Sequence, residues 1–297
     1  MSLIAFLGAI ESGLLFALVA LGVYLSFRVL EFPDLTVDGS FPLGAAVSAA
    51  FIVAGWDPWL ATALAIIAGA LAGLVTGWLN VQLKILHLLA SILTMIALYS
   101  VNLRIMGRPN IALLGENTVL TPLENLGESF SIPYYITTPI AFLVVVAICL
   151  LLLVKFLNSE IGLAMRATGA NARMARAQGV KTHWMILGGM ALSNALVALA
   201  GSLFAQSQGS ADVTMGVGVI VVGLASVIGG EAIISPSTVI KAAIACIVGA
   251  ILYRLVIALA LNLDFIGLKA QDLNLVTSVL VMIAIVLPRY KFRKRKS

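Results

Sequence analysis

The chain has 297 residues, 61% of them hydrophobic and only 10% charged, with a formal net charge of +5 and a mean hydropathy of +1.10. So few charges cannot coat a water-soluble domain of this size, which leaves an integral membrane protein with no nucleic-acid partner. The apolar runs are rich in Leu, Ala, Ile and Gly all round rather than alternating with polar residues. That pattern selects spanning helices over a β-barrel.

The first apolar run has no Lys or Arg before Arg28, so it reads as a span rather than a cleaved signal. Uncharged stretches at 58–83, 129–154 and 184–211 each exceed the roughly 20 residues that cross about 30 Å of hydrocarbon. Hydropathy predicts an all-α polytopic bundle of about nine spans (eight to ten), near 3–27, 41–56, 58–80, 86–106, 136–157, 184–207, 213–231, 237–261 and 273–288. One transmembrane domain over 1–297 is expected. The 41–56 segment contains Gly and Pro and the 213–231 segment several Gly, and both are candidates for broken or re-entrant helices, which persist only where protein covers the freed backbone groups. Gly69, Gly73 and Gly77 form a small-residue stripe, which predicts close helix packing inside the subunit. Trp56, Trp59 and Trp184 lie at predicted boundaries and suit interfacial anchoring.

Orientation follows from the basic residues. Lys155, Arg166, Arg173, Arg176 and Lys181 form one tract, and Arg289, Lys291, Arg293, Lys294, Arg295 and Lys296 form another; together they hold eleven of the eighteen Lys and Arg. The positive-inside rule places both on the cytoplasmic side, and with them the 160–180 segment and the basic 289–297 tail. The N-terminus and the 107–135 loop, with Glu116, Glu124 and Glu128, then fall outside.

Between the fifth and sixth predicted spans lies EIGLAMRATGANARMARAQGVKTHW. It predicts two short helices, 163–168 stopped by Gly169 and 172–178 with Asn171 as N-cap and Gly179 as the residue after the C-cap. Arg173 and Arg176 are three apart and share a face. A flexible topology signal needs only Lys or Arg. Caps, glycines and a background of alanines instead describe a rigid cationic knob.

The stretch GLAMRATGANARMARAQGV, followed by MALSNALVALAGSLFAQSQG, resembles the permeases of bacterial ABC importers of the branched-chain amino acid and ribose type. Gly162, Arg166, Ala167, Gly169, Asn171, Ala175 and Gly179 match the pattern of the cytoplasmic coupling helix in that family. LLFALVALGVYLSFRVLEFPDLTVDGSFPLGAAV and VGLASVIGGEAI extend the similarity over nearly the whole chain, and FPDLTVDGSFPLGAA resembles the tryptophan/tyrosine importer subgroup. The resemblance implies a type II importer fold, a coupling surface at those residues with Arg173 and Arg176, and an ATP-driven permease moving a small solute by alternating access. An amino acid, aromatic by the subgroup, is the implied cargo. It further implies ATPase subunits that use ATP and magnesium, a solute-binding protein outside, a second permease copy and a bacterial inner-membrane location. No cofactor is expected on this chain, and the absence of a G-x-x-x-x-G-K-[ST] loop agrees that ATP is hydrolysed elsewhere.

Five polar residues in the apolar runs are candidates for the substrate pathway: Glu11, Asn80, Asn102, Asn194 and Arg254. Glu11 and Arg254 are expected to pair within the bundle. Asp38, in the turn PDLTVDGS, is expected to cap the second span, and Glu231 either contacts the ATPase or faces the cytosol. Neither catalytic nor metal-binding residues are predicted: His87 and His183 sit at span edges, and Cys149 and Cys246 lie apart in apolar runs. The alternative reading is an ion-coupled secondary transporter. It calls for inverted repeats and midplane carboxylates, and Glu11 is the sole carboxylate that the predicted apolar runs offer.

Overall fold

A computed structural model describes residues 3–123 and 133–261, together with positions 279 and 282. Its helices are α1 (Leu3–Val23), α2 (Val37–Val53), α3 (Pro58–Val81), α4 (His87–Met106), α5 (Tyr134–Leu157), α6 (Glu160–Ala170), α7 (Ala172–Ala177), α8 (Thr182–Gln208), α9 (Val219–Ile233) and α10 (Val239–Leu261). Six segments are long and apolar enough to cross a bilayer: Leu3–Val29, Pro58–Val81, His87–Met106, Tyr135–Leu157, Thr182–Gln208 and Val239–Ala260. Val37–Val53 and Val219–Ile233 are apolar but shorter. Among the described residues there are thus six full spans and two shorter apolar helices, which account for eight of the nine expected segments. Apart from positions 279 and 282, the ninth predicted span (273–288) lies outside the described residues, as do the basic tail, Glu124 and Glu128.

Helix α1 continues through a π-helical turn, Tyr24–Val29, and runs up the middle of the bundle. From Gly13 to Val23 every residue is buried, against α8, α9, α10 and α5. Glycines admit the neighbours: a β-carbon at Gly13 would lie 2.9 Å from Ile251 Cα, and one at Gly22 would lie 2.7 Å from the Ser193 carbonyl oxygen. The stripe on α3 works in the same way. Gly69 faces Asn194 and Ala198, Gly73 faces Met190 and Gly77 faces Leu187, with hypothetical β-carbons 2.1–3.2 Å from their nearest neighbours. This descending register makes α3 and α8 antiparallel and confirms packing within the subunit.

Local chemistry sets the helix ends. Asp57 caps α3, accepting from Trp59 N at 2.7 Å and Leu60 N at 3.4 Å, with Pro58 at the first helical position. Gly107 and Gly209 terminate α4 and α8 in the left-handed region, with φ +64° and +68°. Just beyond them, β1 (Asn110–Ala112) and β2 (Ser210–Asp212) form an antiparallel ribbon, an addition to the predicted all-α fold. The ribbon marks the far end of the bundle, opposite the α6–α7 elbow. Phe16, Phe41 and Phe204 meet in the core with ring centroids 5.5–5.9 Å apart.

The partial helices meet inside the bundle. Pro42 lies within α2 and has no N–H to give the Asp38 carbonyl one turn earlier. Gly216, on the approach to α9, packs against that carbonyl, where a β-carbon would stand 2.0 Å from the Asp38 oxygen. The 28–40 segment, between the first two predicted spans, is folded inward: Phe32, Asp34 and Thr36 are almost fully buried.

Candidate functional site

The elbow is built as a rigid body. Ser159 caps α6 by accepting from Gly162 N, and Asn171 caps α7 by accepting from Arg173 N at 3.1 Å and Met174 N at 3.0 Å. Gly179, at φ +85°, closes α7: its N–H donates to Arg176 O and the N–H of Val180 donates to Ala175 O, each at 3.0 Å. This paired pattern is a Schellman stop, so both the cap and the stop expected from sequence form. Gly169 does not end the first helix, which runs on to Ala170. Its role is contact: a β-carbon there would lie 2.0 Å from the Val29 carbonyl oxygen, and one at Gly162 would lie 2.1 Å from Phe156 O. Met165 is buried beside Leu30 and Gly189, and Ala175 is buried beneath α7. Ala167, Arg173, Arg176, Leu163 and Met174 remain exposed, giving the knob an outer face of two guanidinium groups among apolar side chains.

Arg166 turns toward the bundle. With Tyr24, Arg28, Glu231 and Ser237 it lines a cavity of about 340 Å³. Within it Arg28, on the π-turn, forms an ion pair with Glu231 near the end of α9. Glu231 therefore serves inside the subunit, as a tie between α1 and α9.

The five pathway candidates separate. Asn194 is buried at the centre of a network: its amide donates to Asp34 Oδ2 at 2.8 Å and to Met190 O at 3.1 Å, and its Oδ1 accepts from Ser40 Oγ at 2.7 Å. Asp34 also accepts from Thr36 N at 2.9 Å, and Thr36 and Thr76 hydroxyls meet at 2.8 Å. This network locks the inward-folded segment to α3 and α8. Asn80 donates to Ile85 O at 2.8 Å and shapes the α3–α4 turn. Glu11 and Arg254 do not pair: Glu11 accepts from Ser207 Oγ, and the Arg254 guanidinium lies 3.8 Å over the Phe16 ring. The single ion pair among the described residues is Arg28–Glu231, because each member of the expected pair has a nearer partner on another helix.

Asn102 is the candidate that lines a cavity. That space, about 410 Å³, lies between α2, α4 and the segment leading into α9, and Asp38, Tyr99, Ser100, Thr214 and Val217 also line it. Asp38 does not cap its own helix. Its Oδ1 accepts from Ile220 N at 2.7 Å and its Oδ2 from Gly218 N at 3.2 Å, so a side chain of α2 caps the start of α9. Nearby, the Thr214 amide and hydroxyl, at 2.7 and 2.6 Å, hold the Asp212 carboxyl below the usual carboxylate range. Sequence reasoning missed Asn194 as the partner of Asp34, Ile220 and Gly218 as those of Asp38 and Arg28 as that of Glu231, each at least 160 residues away in the chain. The signal available was the acidic, proline-bounded stretch PDLTVDGSFP beside two apolar runs.

A multi-pass helical bundle with two short apolar helices meeting inside and a rigid cationic elbow at one end has the architecture of a membrane permease. The family described as branched-chain amino acid transport system / permease component matches residues 5–286, and the chain belongs to that family. It is 38% identical over 276 residues to the tyrosine transport system permease protein of Clostridioides difficile (strain R20291), covering 93% of this chain and 88% of that one. It is 26% identical over 289 residues to the ribose import permease protein RbsC of Bacillus subtilis (strain 168), covering 97% and 83%. Among solved structures, PsaBC from Streptococcus pneumoniae in complex with Fab shares the fold at a TM-score of 0.50 and 14% identity, with 99% of this chain and 94% of that chain covered.

Proposed function

We propose that this chain is the membrane permease of an ATP-driven importer for an amino acid, with tyrosine the first candidate. The observation that carries the reading is the elbow: capped at both helices, seated by Gly169 on the end of α1, and presenting Arg173, Arg176 and Met174 outward. It docks on a cytoplasmic ATPase subunit at the outer face formed by Leu163, Ala167, Arg173 and Arg176, while Gly162, Gly169, Asn171, Ala175 and Gly179 keep it stiff. Arg166 joins the elbow to the Arg28–Glu231 tie. Movement of the elbow then reaches α1 through Val29 and α8 through Met165, and exchanges two packings of the bundle. The tyrosine permease relative supports the substrate. Two copies of the chain, two ATPase subunits and an external solute-binding protein complete the assembly in a bacterial inner membrane, with the elbow in the cytosol.

The test is reconstitution of the permease with its ATPase in proteoliposomes, with the binding protein and radiolabelled tyrosine supplied on the far side. Uptake should require ATP and stop with vanadate, and proline introduced at Met174 should remove coupling while membrane insertion persists. ATP-independent uptake driven by an ion gradient would overturn the proposal in favour of a secondary transporter.

A further inference from the structure

The 410 Å³ cavity between α2, α4 and the lead-in to α9 has a one-sided chemistry. It is of small-molecule size. Its single charged lining residue is Asp38, and there is no Lys or Arg in the lining. Asn102 is fully buried; its amide donates to Gly39 O at 3.2 Å, and its Oδ1 has no hydrogen-bond partner. A buried acceptor left unsatisfied costs about 1–3 kcal/mol unless something donates to it. The carbonyl that Asn102 holds belongs to the residue after Asp38, so the orphan acceptor and the carboxylate are brought to one wall. Both Asp38 oxygens already take backbone N–H groups of α9, which fixes the carboxylate in place while leaving each oxygen further lone pairs.

The rest of the lining on α4 is Met95, Ile96, Tyr99 and Ser100. Tyr99 and Ser100 are exposed on α4 about two turns from its end at Met106. Ionisable groups inside a membrane-spanning bundle, as Asp38 is, face interior cavities and mark solute or ion pathways.

Building on the permease reading above, we propose that this cavity is a binding station for a solute carrying a primary ammonium group, with the ammonium donating to Asn102 Oδ1 and lying beside Asp38. An aromatic side chain packs against Tyr99 and Met95. The station is anion-walled and acceptor-rich, so it selects the amine end of the cargo; the broken start of α9, capped by Asp38, forms its floor.

The experiment is thiol labelling of the full-length chain in native membranes, with Cys149→Ala and Cys246→Ala as background and Ser100→Cys as the probe. Membrane-impermeant methanethiosulfonates bearing an ammonium or a sulfonate are compared. Each rate is divided by that reagent's rate with a small free thiol, because a thiolate favours the cationic reagent at any site; on this scale the cationic reagent should be favoured about tenfold, as a one-sided charge in a cleft accelerates arrival, and Asp38→Asn should abolish the preference. L-tyrosine and tyramine should each slow labelling, whereas 3-(4-hydroxyphenyl)propionate, which lacks the amine, should not; Asn102→Leu should weaken that protection. Equal normalised rates for the two reagents, protection by the amine-free acid, or no protection by either amine would each overturn the station. Labelling requires neither ATP nor the ATPase. Amine-selective protection in a chain whose uptake ignores ATP would therefore sink the importer and keep the station, and ATP-driven uptake without protection would do the reverse.

Discussion

Replacing Gly169 by Ala adds one methyl group at the contact between the elbow and the first span. That β-carbon would lie 2.0 Å from Val29 O, 2.9 Å from Val29 C and 3.0 Å from Leu30 Cα, whereas real β-carbons keep at least 3.0 Å, so the two backbones must part by about 1 Å. Overpacking of this kind costs about 1–3 kcal/mol. The helix preference of Ala over Gly returns at most about 1 kcal/mol, so the net loss falls between about zero and 2 kcal/mol and is confined to the seat of the elbow. Gly188→Ala is the matched control: the residue is exposed on α8 and a β-carbon there meets nothing within 4 Å, so the same propensity term acts without the clash. Thermal unfolding of the detergent-purified chain should fall for Gly169→Ala and hold or rise for Gly188→Ala. In the reconstituted complex, substrate-stimulated ATPase activity should drop for the former alone, with assembly retained. If the two variants match in both assays, the elbow is not held by this contact and the lever argument fails.

Asn171→Ala removes acceptors from Arg173 N and Met174 N and should cost about 1 kcal/mol at α7, seen as weaker association with the ATPase in pull-down titrations. Asn194→Leu leaves the buried Asp34 carboxylate and Ser40 hydroxyl each one partner short; a loss of about 1–3 kcal/mol for each stranded group should lower the midpoint of thermal unfolding sharply. Arg28→Ala should barely change stability, because the pair has one member half-exposed and such pairs are worth about 0–1 kcal/mol; transport should nevertheless fall, and Arg28→Glu with Glu231→Arg should recover it better than either single change.

What could be foreseen from sequence was what depends on neighbours in the chain. Asn171 and Gly179 form the cap and stop that their spacing predicts, because both motifs close within five residues. The glycine stripe on α3 was equally legible, since a four-residue repeat fixes a face whatever lies opposite. Gly169 was misread because its requirement is tertiary: the helix passes through it, and the small residue is demanded by Val29, 140 positions away. Asp38 has the composition of a local cap but bonds Ile220, 182 residues on. Pro42 and the turn residues in the second run hinted at a broken helix, yet hydropathy alone assigned the 213–218 segment to a span, whereas the helix starts only at Val219.

Consider finally the first span. Its 27 residues make a rod about 40 Å long at about 1.5 Å per residue, touched by Gly169 at its lower tip, tied to Ser193 through Gly22 about a quarter of the way up and bonded to Ser207 through Glu11 near the top. If the elbow moves as proposed, a shove delivered at one membrane face would reach the other along this single helix, with no loop to refold in between. The π-turn at Tyr24–Val29 is where slack would enter, so tightening or loosening that single turn offers a way to retune the machine's gearing while leaving its cargo chamber untouched.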